Sequence, residues 1–124
     1  MGNGPWDDDI RHIEEVYLQS GGEFLVGEYD GQVVAMGALK RSSAEHAEIK
    51  RMRVAPAFQG RGFGQAMLQA LEHEAKARGY TTLHLDTTVK QISAQRLYAK
   101  NGYQEMRRGV IAGMETIFFE KRLT

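Results

Sequence analysis

A glycine-rich loop between a strand-like run and an amphipathic helix lies at the centre of this chain. The run covers residues 49–54, a proline follows at position 56, and three glycines then alternate, at Gly60, Gly62 and Gly64. Residues without a Cβ let a phosphate approach the backbone closely, while the first turn of a helix offers unpaired N–H groups and the positive end of the helix dipole. The stretch therefore predicts a binding site for a diphosphate.

Two common phosphate-binding loops do not fit these residues. A dinucleotide fingerprint that starts at Gly60 needs glycine or alanine at position 65, where the chain has Gln65, and a P-loop needs a Gly-Lys-Ser/Thr sequence, which is absent. The residues instead match Gln/Arg-x-x-Gly-x-Gly/Ala, here Gln59-Gly60-Arg61-Gly62-Phe63-Gly64. This hexapeptide resembles the loop of the GNAT family of N-acetyltransferases, on which the pyrophosphate of acyl-CoA lies. The alternative is a glycine-rich turn that only closes a strand–helix connection.

The composition fits a single globular domain over residues 1–124. With 16 basic and 16 acidic side chains the formal net charge is zero, so no overall field favours nucleic acid or an anionic membrane. No apolar run approaches the ~20 residues of a membrane span, and the first residues do not form a signal peptide. We therefore expect a cytoplasmic protein that binds neither nucleic acid nor membranes.

The chain has no cysteine. This excludes disulfides, thiolate metal sites and a cysteine acyl-enzyme intermediate. Among the histidines, only His84 shares a strand face with a nearby carboxylate, that of Asp86, and two ligands do not make a metal site. We expect no metal cofactor.

Periodicity and turn residues predict the element order α-β-β-β-α-β-α-β-β. Asp30-Gly31 predicts a two-residue hairpin between the first two strands, and the small, flexible segment 109–113 is predicted to join the last two. The predicted ranges are a helix at 7–19, strands at 23–28, 32–40 and 47–54, a helix from the glycine loop to Gly79, a strand at 80–89, a helix from near Ser93 to Asn101, and strands at 103–107 and 115–121.

The strand, helix and strand over residues 47–89 form a βαβ unit, which makes the two strands parallel. The resemblance to the GNAT family covers residues 23–121 and implies an α/β (α+β) fold. That fold has a central mixed, largely antiparallel sheet with flanking helices, and the sheet splays at the family's fourth and fifth strands. The pantetheine arm of acetyl-CoA lies in this gap and pairs with the exposed edge of the fourth strand.

Members of the family usually begin with a strand and a helix that precede the helix predicted here at 7–19 and help to form the acceptor site. This chain shows no such strand, so its N-terminal strand and helix are expected to be missing or shortened. Either the chain is a reduced version of the fold, or a partner subunit supplies the missing wall. The second alternative also covers an exposed sheet edge and favours a homodimer.

Glu48 is the candidate general base. It stands where several GNAT enzymes have a glutamate that takes the amine proton, often through a water. The alternative is a solvent-facing or ion-paired glutamate beside Lys50 and Arg51. Strand alternation does not decide between the two, because the family's strand has a bulge here and a bulge changes which side chains face the cleft.

Tyr98 is the candidate general acid. It lies in Leu97-Tyr98-Ala99-Lys100-Asn101-Gly102-Tyr103, which resembles the Leu-Tyr-x-Lys-x-Gly-Phe/Tyr signature of the family's last helix. In that helix the tyrosine hydroxyl lies near the thioester sulfur, and a phenol with a pKa near 10 keeps its proton at neutral pH. The alternative is a core tyrosine packed with Leu97 and Ala94.

The other candidates bind acetyl-CoA. Backbone N–H groups of the loop are predicted to hold the pyrophosphate, with Gly62 and Gly64 the least replaceable. Arg61 either adds a charge-assisted phosphate contact or is a solvated loop arginine. The resemblance implies that Met52 and Val54 present backbone groups to the thioester carbonyl and the pantetheine, and it places Gln91 where the family often has a cofactor-contacting asparagine. The predicted cofactor-binding residues are Met52, Val54, Gln59, Gly60, Arg61, Gly62, Phe63, Gly64 and Gln91.

Together these residues imply an acetyl-CoA-dependent N-acetyltransferase. The acceptor is expected to be a primary amine of a small molecule, less readily of a peptide or protein, and the transfer to be direct, in a ternary complex. A different class also fits: an acyl-CoA-binding regulatory or interaction domain without turnover. Nucleic-acid binding through the basic side chains at 50, 51, 53 and 61 is a weaker idea, because the chain is neutral and no aromatic residues are interleaved with them. Those charges more simply suit the phosphates of the cofactor.

Overall fold

The computed structural model describes residues 23–124. The helix predicted at 7–19, with its aspartates at 7–9, lies outside the described residues. The described part contains the predicted order β-β-β-α-β-α-β-β. Its elements are β1 (Glu23–Tyr29), β2 (Gln32–Arg41), β3 (His46–Val54), α1 (Phe63–Ala77), β4 (Thr82–Thr88), α2 (Ile92–Lys100), β5 (Gln104–Ile111) and β6 (Met114–Arg122), with a short 3-10 helix at Pro56–Phe58.

The strands form one sheet in the order β1-β2-β3-β4-β6-β5. The pair β3–β4 is parallel, and the other neighbouring pairs are antiparallel. A helical crossover between β3 and β4 requires this parallel pairing, because a short hairpin joins only antiparallel strands. The predicted mixed, largely antiparallel sheet is thus confirmed.

The sheet splays between β3 and β4. These strands pair only where His46, Ala47 and Glu48 face Thr82, Leu83 and His84. Beyond Glu48, β3 continues to pair with β2 as far as Val54 but has no partner residue on β4. The edge of β3 is therefore open toward the glycine loop, as the resemblance implies.

A bulge in β3 lies within this open stretch. Met36 of β2 pairs with Arg53, but Ala38 pairs with Lys50, so β3 has one extra residue here. Arg51 takes up the bulge with a left-handed backbone, φ 56°. The extra residue reverses the alternation, so that Met52 packs against the same core as the residues before the bulge.

Helix α1 packs on the sheet through the residues that its periodicity predicts: Met67, Leu68, Leu71 and Ala75 are all buried. Gly37 of β2 lets the helix come close, because a Cβ at this position would lie 2.7 Å from Leu71 Cδ1. This packing holds the start of α1, and with it the glycine loop, at the open end of the sheet.

The two hairpin turns test the turn predictions differently. Asp30 and Gly31 have φ of 53° and 79°, which confirms the predicted two-residue turn. The prediction of a flexible link at 109–113 is wrong, since residues 109–111 belong to β5 and the turn is Ala112-Gly113, with φ of 51° and 79°. The β-branched Val110 and Ile111 favour the extended strand over a loop.

Candidate active site

A cleft of about 1050 Å³ opens between the end of β3, the glycine loop and helix α2. This volume suits a ligand larger than most drug-sized molecules, for which pockets of roughly 300–1,000 Å³ are usual. Most of the residues predicted from the sequence line it: Met52, Val54, Gln59, Gly60, Gly62, Gly64, Gln91 and Tyr98. Glu48, Arg61 and Phe63 do not.

The glycine loop presents a row of free backbone donors. Gly60 and Gly62 have φ of 77° and 89°, a conformation that glycine adopts without strain. The amides of residues 60–65 donate no hydrogen bond to any residue within 23–124, and the first bond of the helix is from Ala66 N to Gly62 O, at 3.1 Å. Such a concave set of N–H groups at a helix N-terminus binds anions.

Gly64 and Gln65 hold the two helices of the cleft together. A Cβ at Gly64 would lie 3.4 Å from Leu97 Cδ2, so a larger residue would press against α2. The side-chain amides of Gln65 and Asn101 exchange two hydrogen bonds of 2.7 Å, and Asn101 Nδ2 also donates to Leu97 O at 2.8 Å. A glycine is therefore favoured at position 64 because the helices pack closely there, and at positions 60 and 62 because the backbone has a positive φ.

Three cations line the cleft in addition to the predicted cofactor-binding residues: Arg53, Lys90 and Lys100. No carboxylate is among the described residues that line it. The chain is neutral overall, so this charge is local and suits a polyanionic ligand. Arg53 is one of the basic side chains that the sequence already linked to the cofactor phosphates, and Lys100 is the lysine of the Leu-Tyr-x-Lys signature. Lys90 could be placed in the cleft only from the fold.

Gln59 and Gln91 brace the two sides of the cleft. Gln59 Nε2 donates to Val54 O at 3.1 Å, which ties the loop to the end of β3. The Gln91 side-chain oxygen accepts from the Thr87 hydroxyl and, at 3.3 Å, from Thr88 N. Its NH₂ group makes no hydrogen bond within the described chain and lies on a residue that lines the cleft, so it is available to a carbonyl oxygen of a ligand.

Tyr98 is buried at the inner end of the cleft, with 7% of its surface exposed. Its ring centroid lies 5.9 Å from that of Tyr103 and 6.0 Å from that of Phe119. Burial, and to a smaller degree the charge of Asp86, raises the pKa of Tyr98 to about 12. Its hydroxyl therefore stays protonated across the neutral range.

Glu48 lies at the point where the sheet divides. It precedes the bulge and, by strand alternation, lies on the sheet face opposite to the core residues Ala47 and Ile49. Glu48 and His84 are the last paired residues before β3 and β4 separate. His84 Nε2 is 2.8 Å from Ser42 Oγ. The structure thus places Glu48 outside the cleft lining, at the point where β3 and β4 separate, and its role as a general base stays a prediction.

Arg61 and Phe63 lie on the outer side of the loop. The Arg61 guanidinium carbon is 5.1, 5.2 and 5.7 Å from the ring centroids of Tyr29, Phe58 and Phe63. Arg61 is exposed to solvent and also contacts these three rings, since the β1–β2 hairpin brings Tyr29 beside the loop. Its contact with a phosphate stays a prediction.

Within residues 23–124, no three histidine or carboxylate side chains are grouped as metal ligands. The same part of the chain contains no helix that is long and apolar enough to cross a membrane.

The splayed sheet, the glycine loop and the cationic cleft together suit a ligand that carries a diphosphate. The sequence model of the acetyltransferase (GNAT) family matches residues 3–103, and the chain belongs to this family. The fold is confirmed by solved structures. One example is a GNAT family acetyltransferase from Elizabethkingia anophelis with acetyl-CoA bound, which is 23% identical, has a TM-score of 0.77, and is matched over 98% of this chain and 92% of that one.

Two relatives represent the curated proteins that the chain resembles. It is 37% identical to an IAA acetyltransferase of Azospirillum brasilense over 83 residues, which are 66% of this chain and 54% of that protein. It is 30% identical to the N-acetylaspartate synthetase of Rattus norvegicus in an alignment of 124 positions, which covers 92% of this chain and 42% of that protein. The chain spans about half the length of the curated relatives it matches.

Proposed function

We propose that the protein transfers an acetyl group from acetyl-CoA to a primary amine of a small molecule, directly and in a ternary complex. The observation that carries this proposal is the single cleft that joins the unpaired amides of residues 60–65, the open edge of β3 and the buried hydroxyl of Tyr98. Acetyl-CoA bound to a protein of the same fold, and a relative named for N-acetylaspartate, support the donor and the kind of acceptor.

The cleft fits the parts of acetyl-CoA in order. The loop amides suit the diphosphate, and Arg53, Lys90 and Lys100 supply opposite charge for its phosphates. The unpaired backbone of β3 near Met52 suits the amides of the pantetheine arm, which would extend the sheet by one strand. The free NH₂ of Gln91 lies on the facing side of the cleft, where it suits a carbonyl of the same arm.

Glu48 is proposed to take the first proton from the acceptor. An alkyl amine has a pKa near 10.4, so roughly one molecule in a few thousand is neutral at pH 7. A carboxylate at the base of the splay takes this proton, directly or through a water, and frees the nitrogen lone pair for attack on the thioester carbonyl.

Tyr98 is proposed to complete the proton transfers. The nitrogen bonds to the carbonyl carbon, and the carbon–sulfur bond breaks. The Tyr98 hydroxyl donates to the departing sulfur while it receives the second proton of the nitrogen. Because its pKa of about 12 exceeds the ~8.5 of an ordinary thiol, a lasting tyrosinate is unfavourable and the two transfers are coupled. The products are an amide and a thiol, with one proton left at Glu48.

The absence of cysteine supports direct transfer, because the chain has no thiol to carry an acyl-enzyme. Most of the acceleration then comes from holding donor and amine together, which is worth up to ~7–11 kcal/mol.

The test is amine-dependent release of CoA thiol, with mass spectrometry of the product, across a panel of amino acids, small alkyl amines and short peptides. The proposal predicts turnover with at least one small amine and none with the Gly62→Trp variant. Turnover confined to peptides would contradict the acceptor class. Acetyl-CoA binding without turnover of any amine would favour an acyl-CoA-binding regulatory domain instead.

A further inference from the structure

Arg61 lies in an aromatic cluster made of Tyr29, Phe58 and Phe63. The three ring centroids are 5.4–6.0 Å apart and meet edge to face. The Arg61 guanidinium carbon is within 5.7 Å of each centroid, in the distance range of cation–π contacts. Tyr29 ends β1, whereas the other two rings flank the loop, so the cluster joins the β1–β2 hairpin to the glycine loop.

The glycine loop needs such an anchor. A Cβ at Gly60 or Gly62 would meet no atom within 4 Å, so neither glycine is packed against the rest of the protein. The amides of residues 60–65 have no internal acceptors in the described chain. Ordering the backbone of a free loop costs conformational entropy, and a loop without an anchor would lose that free energy when it binds its ligand. The Gln59 side chain ties the β3 side of the glycine loop to Val54 O, and Arg61 ties the other side of the loop to the aromatic rings.

Arginine suits this place better than other cations. Its guanidinium is planar, stacks on aromatic rings and is more weakly hydrated than an ammonium group. The charge that phosphates require is already present in the cleft, on Arg53, Lys90 and Lys100, which line it while Arg61 does not.

We infer that Arg61 is a positioning residue, which holds the glycine loop in its binding shape through cation–π contacts with Tyr29, Phe58 and Phe63, and not a ligand of a phosphate. The inference rests on the proposed function in one respect, since its consequence for affinity presupposes that the loop binds CoA. The anchoring itself is a property of the ligand-free protein and is measured separately.

A double-mutant cycle on CoA binding tests the consequence. Titration calorimetry is run on the wild type, Arg61→Met, Tyr29→Leu and the double variant. We expect roughly tenfold weaker binding for Arg61→Met and a smaller loss for Tyr29→Leu. The double variant should bind no more weakly than Arg61→Met, because both changes remove the same contact. The inference would be overturned, in favour of a direct phosphate contact, if the losses of CoA affinity in the two single variants multiplied in the double variant. It would also be overturned if Tyr29→Leu bound CoA as tightly as the wild type does.

Lys100→Met is the matched control, since it removes a cation that lines the cleft. Its loss should shrink as the salt concentration rises, because the charge acts through a screened field. The loss from Arg61→Met should stay nearly constant with salt. Equal salt dependence of the two variants would count against the anchoring role.

NMR relaxation of the ligand-free protein measures the anchoring itself. The amide order parameters of Gly60 and Gly62 should be near the ~0.85 of rigid backbone in the wild type and in Lys100→Met, and fall toward ~0.6 in Arg61→Met and Tyr29→Leu. If the order parameters stayed unchanged in Arg61→Met and Tyr29→Leu, the anchoring role of Arg61 would be overturned, whether or not the protein binds CoA. If the loop of the wild type is rigid but the wild type does not bind CoA, the proposed function is contradicted. The anchoring role of Arg61 would still hold in that case.

Discussion

Tyr98 shows how one residue serves both the core and the chemistry. Its ring is packed between Tyr103 and Phe119, and the same burial that fixes the ring raises the pKa of its hydroxyl. A raised pKa keeps the phenol protonated up to about pH 12, so ionisation of Tyr98 removes no activity in the range where enzymes are assayed.

We predict that Tyr98→Phe lowers kcat by about a hundredfold or more, the usual scale of a lost proton donor. Because phenylalanine retains the packing, the affinity for acetyl-CoA should change less than threefold, a difference below ~0.7 kcal/mol. Steady-state kinetics and calorimetry on the same preparations check both values. An unchanged kcat would remove Tyr98 from the chemistry and leave it a core residue.

Glu48→Gln should show a pH-dependent defect. The loss in kcat/KM should be about a hundredfold near pH 7 and should fall below tenfold near pH 10, where about a third of an alkyl amine is already neutral. Rates over pH 7–10 with one acceptor measure this slope. A loss that stays the same at every pH would assign Glu48 a structural role at the base of the splay.

At the scale of elements, the contact between β2 and α1 sets where the glycine loop begins. Gly37 lies opposite the bulge of β3, and its missing Cβ leaves room for Leu71 and Met67, which are buried. A methyl group here would push α1 away from the sheet. The loop would move with the helix, because α1 begins at Phe63.

Gly37→Ala should therefore lower the free energy of unfolding by about 1–3 kcal/mol, the range of overpacked cores. Gly27→Ala is the matched control in β1, since a Cβ there meets its nearest atom at 3.5 Å, an ordinary contact, and should change stability by less than ~0.5 kcal/mol. Urea unfolding of the three proteins compares them. Equal stability of the two variants would show that the helix is not tightly seated.

Local sequence signals predicted the elements that depend on local chemistry. Asp30-Gly31 specified its hairpin, alternating glycines specified the loop, and the spacing of Met67, Leu68 and Leu71 specified the buried face of α1. The Ala112-Gly113 turn was missed because alanine at positive φ is unusual, so Gly109 looked like the start of the turn. The bulge at Arg51 was expected near Glu48, but its position depends on pairing with β2.

At the scale of the whole molecule, the sequence predicted the site better than its surroundings. Seven of the residues that line the cleft belong to motifs that are continuous in sequence, at 59–64 and 97–103. Lys90 and the cluster around Arg61 depend on segments distant in sequence, so only the tertiary structure brings them together. The homodimer and the cytoplasmic location stay predictions, as does a single domain over residues 1–124.

The central claim for the molecule is that the glycine loop holds the diphosphate of acetyl-CoA. Calorimetric titration with acetyl-CoA tests it directly on the wild type, Gly62→Trp and Gly113→Trp. Both glycines have positive φ and open space around them, but only Gly62 lies in the cleft. We predict saturable binding to the wild type and to Gly113→Trp, and none to Gly62→Trp. If Gly62→Trp bound acetyl-CoA as tightly as the wild type, or if the wild type did not bind it, the glycine loop would not be the site of the diphosphate.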